Sequence, residues 1–348
     1  MKEITMAQRI RSLRYLHNLS MDQLAMRFNP PISRQTIAKY EAGKMSPRYS
    51  TLKQLCRILH IDEDYIRGKY SFELSVPHHR NPEKEPISDK AMEDLMVNVN
   101  SWLASYLNKE RLTKPTPDFV NPLEDRVIRS RIDVEQAALA LRMAWHTGDG
   151  PIASIARLAE RKGIRLFNAP LPKGLLGTSM WADNRYPLIV ATFNTLLTTT
   201  ERLRFTIAHE IGHLLLHFAD RVEFECKNPD DDPREKPCEI FAGNFLLPRR
   251  TLYEEIGRER DFLTLKEVID IKEQYGVSVA AIIHQAWDLR IITRQHYDYW
   301  YDHHINKNRL EIGWGEYPVP ETLGREMRLT SIVDKMFEED DKEEDNNA

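Results

Sequence analysis

The five residues His209-Glu210-Ile211-Gly212-His213 constrain this chain more than any other feature. On a helix, two histidines four residues apart lie on one face, about a turn apart. There they can share one Zn²⁺ at roughly 2.0–2.1 Å from each imidazole. Glu210 follows the first histidine and can reach the open coordination position. From there it can take a proton from a water whose pKa the ion lowers to about 7. The flanks are apolar, with Leu203, Phe205, Ile207 and Ala208 before the motif and Leu214-Leu215-Leu216 after it. The pattern predicts a buried helix whose paired histidines need partners. A catalytic zinc site usually has a third protein ligand and leaves one position open. Glu235 and Glu239 are the downstream candidates. His217 stays near the same face and reads as a cleft-wall residue. Cys226 and Cys238 lack a Cys-x-x-Cys pair and are weaker candidates.

The second constraint is a charge asymmetry. Residues 1–69 hold 13 Lys/Arg against 6 Asp/Glu, a net of +7, while the whole chain of 348 residues has a net charge of −4. A positive N-terminal unit on an acidic body implies a polyanion partner at one end only. The same unit reads as five short helices. Ile10, Leu13 and Leu16 give the first its apolar stripe. Ser20 and Gln23 form a capping box for the second, and Asn29-Pro30-Pro31 stops it. Ser33 caps a third helix, Arg34 to Glu41. Ser50 to Leu59 and Asp62 to Arg67 complete the set. Two helices joined by a short turn in a basic unit form a helix-turn-helix, whose second helix enters the major groove of double-stranded DNA. Arg34, Gln35, Thr36 and Lys39 would face base edges. Gln23, Ser33, Lys44 and Arg48 would hold phosphates.

The rest of the chain alternates helical and strand patterns. A polar, proline-containing stretch spans residues 78–86 and another break spans 114–117. Between them Ser88 to Leu107 predicts one amphipathic helix. Ile132 to Trp145 predicts a longer one, and another precedes Gly163. Ile164–Phe167 and Leu188–Ala191 predict strands. A helix through Phe241 to Leu247 follows the histidine motif. The acidic run 338–345 predicts a solvated tail. No window approaches the roughly 20 apolar residues of a membrane span. The start carries no signal-peptide pattern, and three scattered cysteines suit a reducing compartment. These features predict a cytoplasmic protein with no membrane partner.

The N-terminal signatures, Ala7–Arg14, Leu19–Ala25 and Ile32–Lys44, resemble the phage-repressor (Xre) family. The segment Glu201–His217, with Glu235-x-x-Cys238-x-x-Phe241-Ala242 and the apolar run ending at Pro248, resembles the ImmA/IrrE metallopeptidases. Ala137–Trp145 and Gly150-Pro151-Ile152 are similar to the start of that domain. Pro237 and Cys238 depart from the family pattern, since a proline there could start the helix late and leave Glu235 at its edge. Three insertions in the repressor-like turn, Asn29-Pro30-Pro31, are also a departure. The resemblance implies zinc held by His209, His213 and Glu235, with Glu210 as general base. It also implies cleavage of a partner repressor in a phage, mobile-element or stress switch. The alternative is a transcription factor or antitoxin whose zinc domain docks or senses a partner such as a toxin. A homodimer on paired half-sites is the expected DNA-bound form. The expected fold is mainly α, a five-helix helix-turn-helix domain followed by an α+β zincin-like domain with a small sheet. The expected divisions are 1–69, a linker with one helix at 70–125, the peptidase-like domain at 126–295, and an extension with an acidic tail at 296–348.

Overall fold

The computed structural model describes residues 3–75, 78–80 (backbone), 86–113, 117–194, 198–216, 223–226, 231–325, 327–333 and 335. His217 and the acidic run 338–345 lie outside the described residues, as do parts of both expected breaks.

The N-terminal helices are α1 (Met6–Leu16), α2 (Met21–Met26), α3 (Arg34–Glu41), α4 (Tyr49–Ile58) and α5 (Glu63–Ile66). Each of four starts where a side-chain oxygen accepts a first-turn N–H: Thr5, Ser20, Ser33 and Asp62. Such caps are worth about 1 kcal/mol each, which matters for helices this short. The Ser20–Gln23 box forms as the pattern predicts. The proline-containing turn is pinned by Gln54 of α4, whose amide bonds both the N–H and the carbonyl of Asn29 at 2.8 and 3.0 Å. Arg14 of α1 forks onto the Glu41 carboxylate at 2.5 and 2.8 Å, with both side chains about 5% exposed. This pair fixes the end of α3 against α1.

The predicted amphipathic helix is longer than expected. It runs as α6 (Asp89–Leu112) and ends only past Arg111. Its apolar residues Val99, Trp102 and Leu103 join the core of the N-terminal helices. Two polar contacts strengthen that seam, a part-buried one from Ser12 Oγ to Asn98 Oδ1 at 2.7 Å and a buried one between Tyr65 OH and Ser101 Oγ at 3.0 Å.

Four strands form one mixed sheet in the order β1-β3-β4-β2. They are β1 (His78–Arg80), β2 (Arg165–Asn168), β3 (Gly177–Ala182) and β4 (Tyr186–Ala191). β2 runs parallel to β4, and β3 is antiparallel to both β1 and β4. Alternation along a strand explains the near-continuous apolar runs. Leu166, Ile189 and Ala191 enter one core, while Phe167, Leu188 and Val190 enter the other. Both faces are therefore buried. Trp102 of α6 stacks on Phe167 at 4.8 Å between ring centres, so α6 lies between the N-terminal helices and the sheet.

The opposite face carries α7 (Arg131–Trp145), α8 (Ile155–Arg161), α9 (Thr200–Leu216) and α10 (Glu235–Leu246). Their apolar residues form the larger core with α11 (Arg249–Ile256), α12 (Leu265–Tyr275), α13 (Val279–Asp288) and Trp300 of α14 (Arg294–His303). The architecture is mainly α with one small sheet, as the sequence predicts. Among the described residues, no helix is long and apolar enough to cross a membrane.

Candidate metal centre and DNA-facing helix

The histidine motif falls in the C-terminal half of α9, where every residue from Thr206 to Leu216 is buried. Ile207, Ile211, Leu214 and Leu215 anchor the helix in the core. His209 and His213 therefore emerge on a face held from behind by packing. Gly212 sits where α10 crosses. A Cβ there would lie 3.2–3.3 Å from Phe241 and from Cα and Cβ of Cys238. The missing side chain lets α10 approach closely, and that approach brings Glu235 to the histidines.

Pro237 does not delay the helix. Glu235 is its first residue and Pro237 its third. First-turn N–H groups have no partner within the helix, so a proline there costs no hydrogen bond. Glu235 does sit at the helix edge, yet its Oε2 lies 3.0 Å from His209 Nε2 and its Oε1 3.2 Å from His213 Nε2. The two Nε2 atoms are 3.1 Å apart. Glu239 turns away to an exposed contact with Lys236 at 3.3 Å. Cys238 is fully buried in the apolar core. Cys226 is not part of the cluster.

The donor set suits a divalent ion. In a tetrahedral site with donors at 2.0–2.1 Å, neighbouring donors stand about 3.3 Å apart, close to the spacing here. Burial disfavours the charged form of His213 more than its bond to Glu235 favours it, so its pKa is lowered. Burial would raise the Glu235 carboxyl, but hydrogen bonds from His209 and His213 outweigh it and hold it well below the usual range. Neutral imidazole and ionised carboxylate are the ligand forms. His209, His213 and Glu235 are the one group of three possible ligands among the described residues.

Glu210 is fully buried and points to the sheet side of α9. Ser179 Oγ of β3 donates to its Oε2 at 2.6 Å. A Cβ on Gly177 would stand 2.5 Å from Thr206 Cγ2 and 3.3 Å from Glu210 Oε1. β3 therefore runs directly over the glutamate, and Gly177 is what allows it. The sequence reading singled out neither residue. Gly177 and Ser179, two apart on a strand, share one face, but only knowing which strand crosses α9 gives that pattern meaning.

In the N-terminal unit, Arg34, Gln35, Lys39 and Lys44 are exposed and Thr36 is partly so. Arg34 approaches Asp22 at 3.6 Å in an exposed pair, 67% and 69% accessible. Such a pair is worth at most about 1 kcal/mol, so it hardly opposes a move onto a base. Ser33 Oγ accepts from Thr36 N–H at 3.1 Å and bonds the Thr36 hydroxyl. Gln23 Oε1 accepts from Ser20 N–H at 2.8 Å, which leaves only its amide hydrogens for a phosphate.

Residues 10–66 match the helix-turn-helix family, and residues 159–286 match the IrrE N-terminal-like domain. No curated protein matches the chain.

Proposed function

We propose that this chain, which joins an Xre-type helix-turn-helix domain to an ImmA/IrrE-type metallopeptidase domain, is a cytoplasmic DNA-binding regulator that cleaves a partner protein, a transcriptional repressor. The convergence of His209, His213 and Glu235 beside the buried Glu210 carries this reading. A bound Zn²⁺ would supply Lewis-acid polarisation of the scissile carbonyl and a more acidic water. The chain's own part is to orient and to move protons. Glu210 accepts the proton of the attacking water as its oxygen adds to the carbonyl carbon. It then returns the proton to the amine as the carbon–nitrogen bond breaks. Ser179 keeps the carboxylate aimed by donating to its other side. The test is co-expression with the product of the neighbouring gene, comparing the intact chain with Glu210→Gln.

Metal loading is expected at one equivalent per chain. His209→Ala and Glu235→Ala should each lose most of it by elemental analysis, and Glu239→Ala should keep it. Loss with Glu239→Ala but not Glu235→Ala would reassign the third ligand.

Residues 1–69 are proposed to recognise a double-stranded operator as a dimer on half-sites about one helical turn apart. Arg34→Ala or Gln35→Ala should cost about 1–3 kcal/mol at the preferred sequence and relax specificity. Lys44→Ala should weaken binding to every duplex alike and flatten the salt dependence. Equal affinity of the intact chain for all duplexes at physiological salt would refute specific recognition.

A further inference from the structure

A hollow of about 880 Å³ lies at the seam where the chain leaving α5 meets α6 and the sheet. Its size falls within the range of small-molecule sites, roughly 300–1,000 Å³. One wall is aromatic. Tyr70 and Phe72 follow α5 in the chain, and Tyr186 opens β4. Tyr70 meets Phe72 edge-on at 5.9 Å between ring centres, and Phe72 meets Tyr186 edge-on at 6.3 Å. Ala104 and Leu107 of α6 add aliphatic surface. Rings and methyl groups arranged in this way suit a flat apolar body.

The charged lining is weighted toward cations, with Arg111, Arg165 and Arg185 against Glu110 and Asp118. How these charges are paired decides the sign of a ligand. Glu110 is buried and already answers two guanidinium groups, Arg165 Nη2 at 3.4 Å and Arg325 Nε at 3.5 Å. A cationic ligand would have to compete with both. Arg165 of β2 is only 4% exposed. Its Nη1 donates to the carbonyl of Gly163 at 2.9 Å, while its Nε has no hydrogen-bond partner among the described residues. A buried cationic donor in that state favours an acceptor brought by a ligand. Arg111 and Arg185 are exposed, and their partners Asp62 and Asp118 stand 3.3 and 3.4 Å away. Exposed pairs of this kind hold weakly, so both guanidinium groups can turn onto an anion. Arg165 and Arg185 also lie 4.7 and 5.2 Å from the ring centre of Tyr186. Cations and rings thus meet at one place.

We infer that this hollow binds a small organic anion with a flat aromatic body, its anionic group among the three arginines and its rings against Tyr70, Phe72 and Tyr186. The site shares no residue with the metal centre, and the inference does not depend on cleavage. It lies where the DNA-binding unit is fastened to the rest of the chain. Arg9 of α1 donates to Tyr70 O at 2.9 Å, and Tyr70 OH donates to Asp62, whose carboxylate also caps α5. A ligand seated here touches Tyr70 and Phe72 on one side and Arg165 and Tyr186 on the other. It therefore braces the N-terminal helices against the sheet.

The probe is 1-anilinonaphthalene-8-sulfonate, a flat aromatic monoanion whose fluorescence rises in apolar surroundings, titrated into the full-length protein without DNA. N-phenyl-1-naphthylamine, the same rings without the sulfonate, is the neutral control. The sulfonate should saturate one site per chain and bind about tenfold or more tightly than the neutral probe, the worth of a charge-assisted hydrogen bond. Arg111→Gln combined with Arg185→Gln, both at exposed positions, should weaken the sulfonate by about fivefold or more and leave the neutral probe unchanged. Leu107→Trp fills the hollow and should remove both probes, with circular dichroism reading whether the variant is folded. If it is not, the arginine variant carries the test. Sulfonate binding that survives unchanged in either folded variant overturns the inference, because the probe then sits elsewhere. Equal affinity for the two probes, or no saturable binding of the sulfonate, overturns it as well.

Discussion

Glu210→Gln should fold, load metal and bind DNA like the intact chain, and should lower turnover of the partner protein by about 10²–10⁴-fold, the usual worth of a general base. The substitution preserves shape in a tight place. The glutamate is fully buried under β3, with Gly177 and Thr206 packed beside it. The Ser179 hydroxyl can donate to the amide oxygen of glutamine as it does to the carboxylate, at 2.6 Å in the native chain. What is lost is the capacity to take a proton. The metal should remain, since Glu210 is outside the group of His209, His213 and Glu235 that would hold it. The measurement is the rate at which the neighbouring gene product disappears under inducing conditions. If Glu210→Gln supports the same switch as the intact chain, the metal domain docks or senses a partner, and the antitoxin or regulator reading takes its place.

The legible part of this site is the part that is local in sequence. Two histidines one helical turn apart, an acidic residue between them and apolar flanks are all set by one helix. The five N-terminal helices were legible for the same reason, because caps and stops such as Ser20, Ser33 and the prolines act within a few residues. Strands β2 and β4 showed as apolar runs since both of their faces are covered. β3 did not, because Gly177, Thr178 and Ser179 are small and polar. For Gly177 and Ser179 the reason is contact with Glu210 and Thr206, some 30 residues away. β1 was hidden inside the polar stretch 78–86, with Pro82 and Pro86, which reads as a break. The role of α6 was hidden too. Its stripe predicted a helix, but nothing local tells that Trp102 stacks on a strand more than 60 residues later.

A buried long-range ion pair carries the largest expected effect on stability. Arg204, five residues before His209 on α9, is completely buried and donates to Glu321 Oε1 at 2.6 Å. It also donates to the carbonyls of Ile152, Ala153, Tyr275 and Gly276, and its guanidinium lies 4.1 Å from the ring centre of Tyr317. Glu321 in turn accepts from Ser154 Oγ and from the N–H groups of Ile155 and Ala156 at 2.7–3.0 Å. A single carboxylate therefore neutralises a buried cation and caps the start of α8. Glu321→Ala leaves that charge with only carbonyls and the Tyr317 ring for company and leaves the α8 N–H groups unanswered. Breaking one side of a buried ion pair typically costs about 3–5 kcal/mol. At about 2–4 °C per kcal/mol for a body of this size, Tm should fall by about 6–20 °C. Glu321→Gln keeps an acceptor for Arg204 or for α8 but not the charge, and should fall between the two. Thermal unfolding followed by circular dichroism reads the difference. A shift below about 2 °C for Glu321→Ala would mean that the pair adds little beyond the packing around it. The effect should reach the metal as well. The four carbonyls that Arg204 ties together belong to the loop before α8 and to the C-terminal end of α12, so the same carboxylate fixes the N-terminal half of α9 against both. Loosening it should weaken metal retention at His209 and His213 while leaving DNA binding by residues 1–69 unchanged.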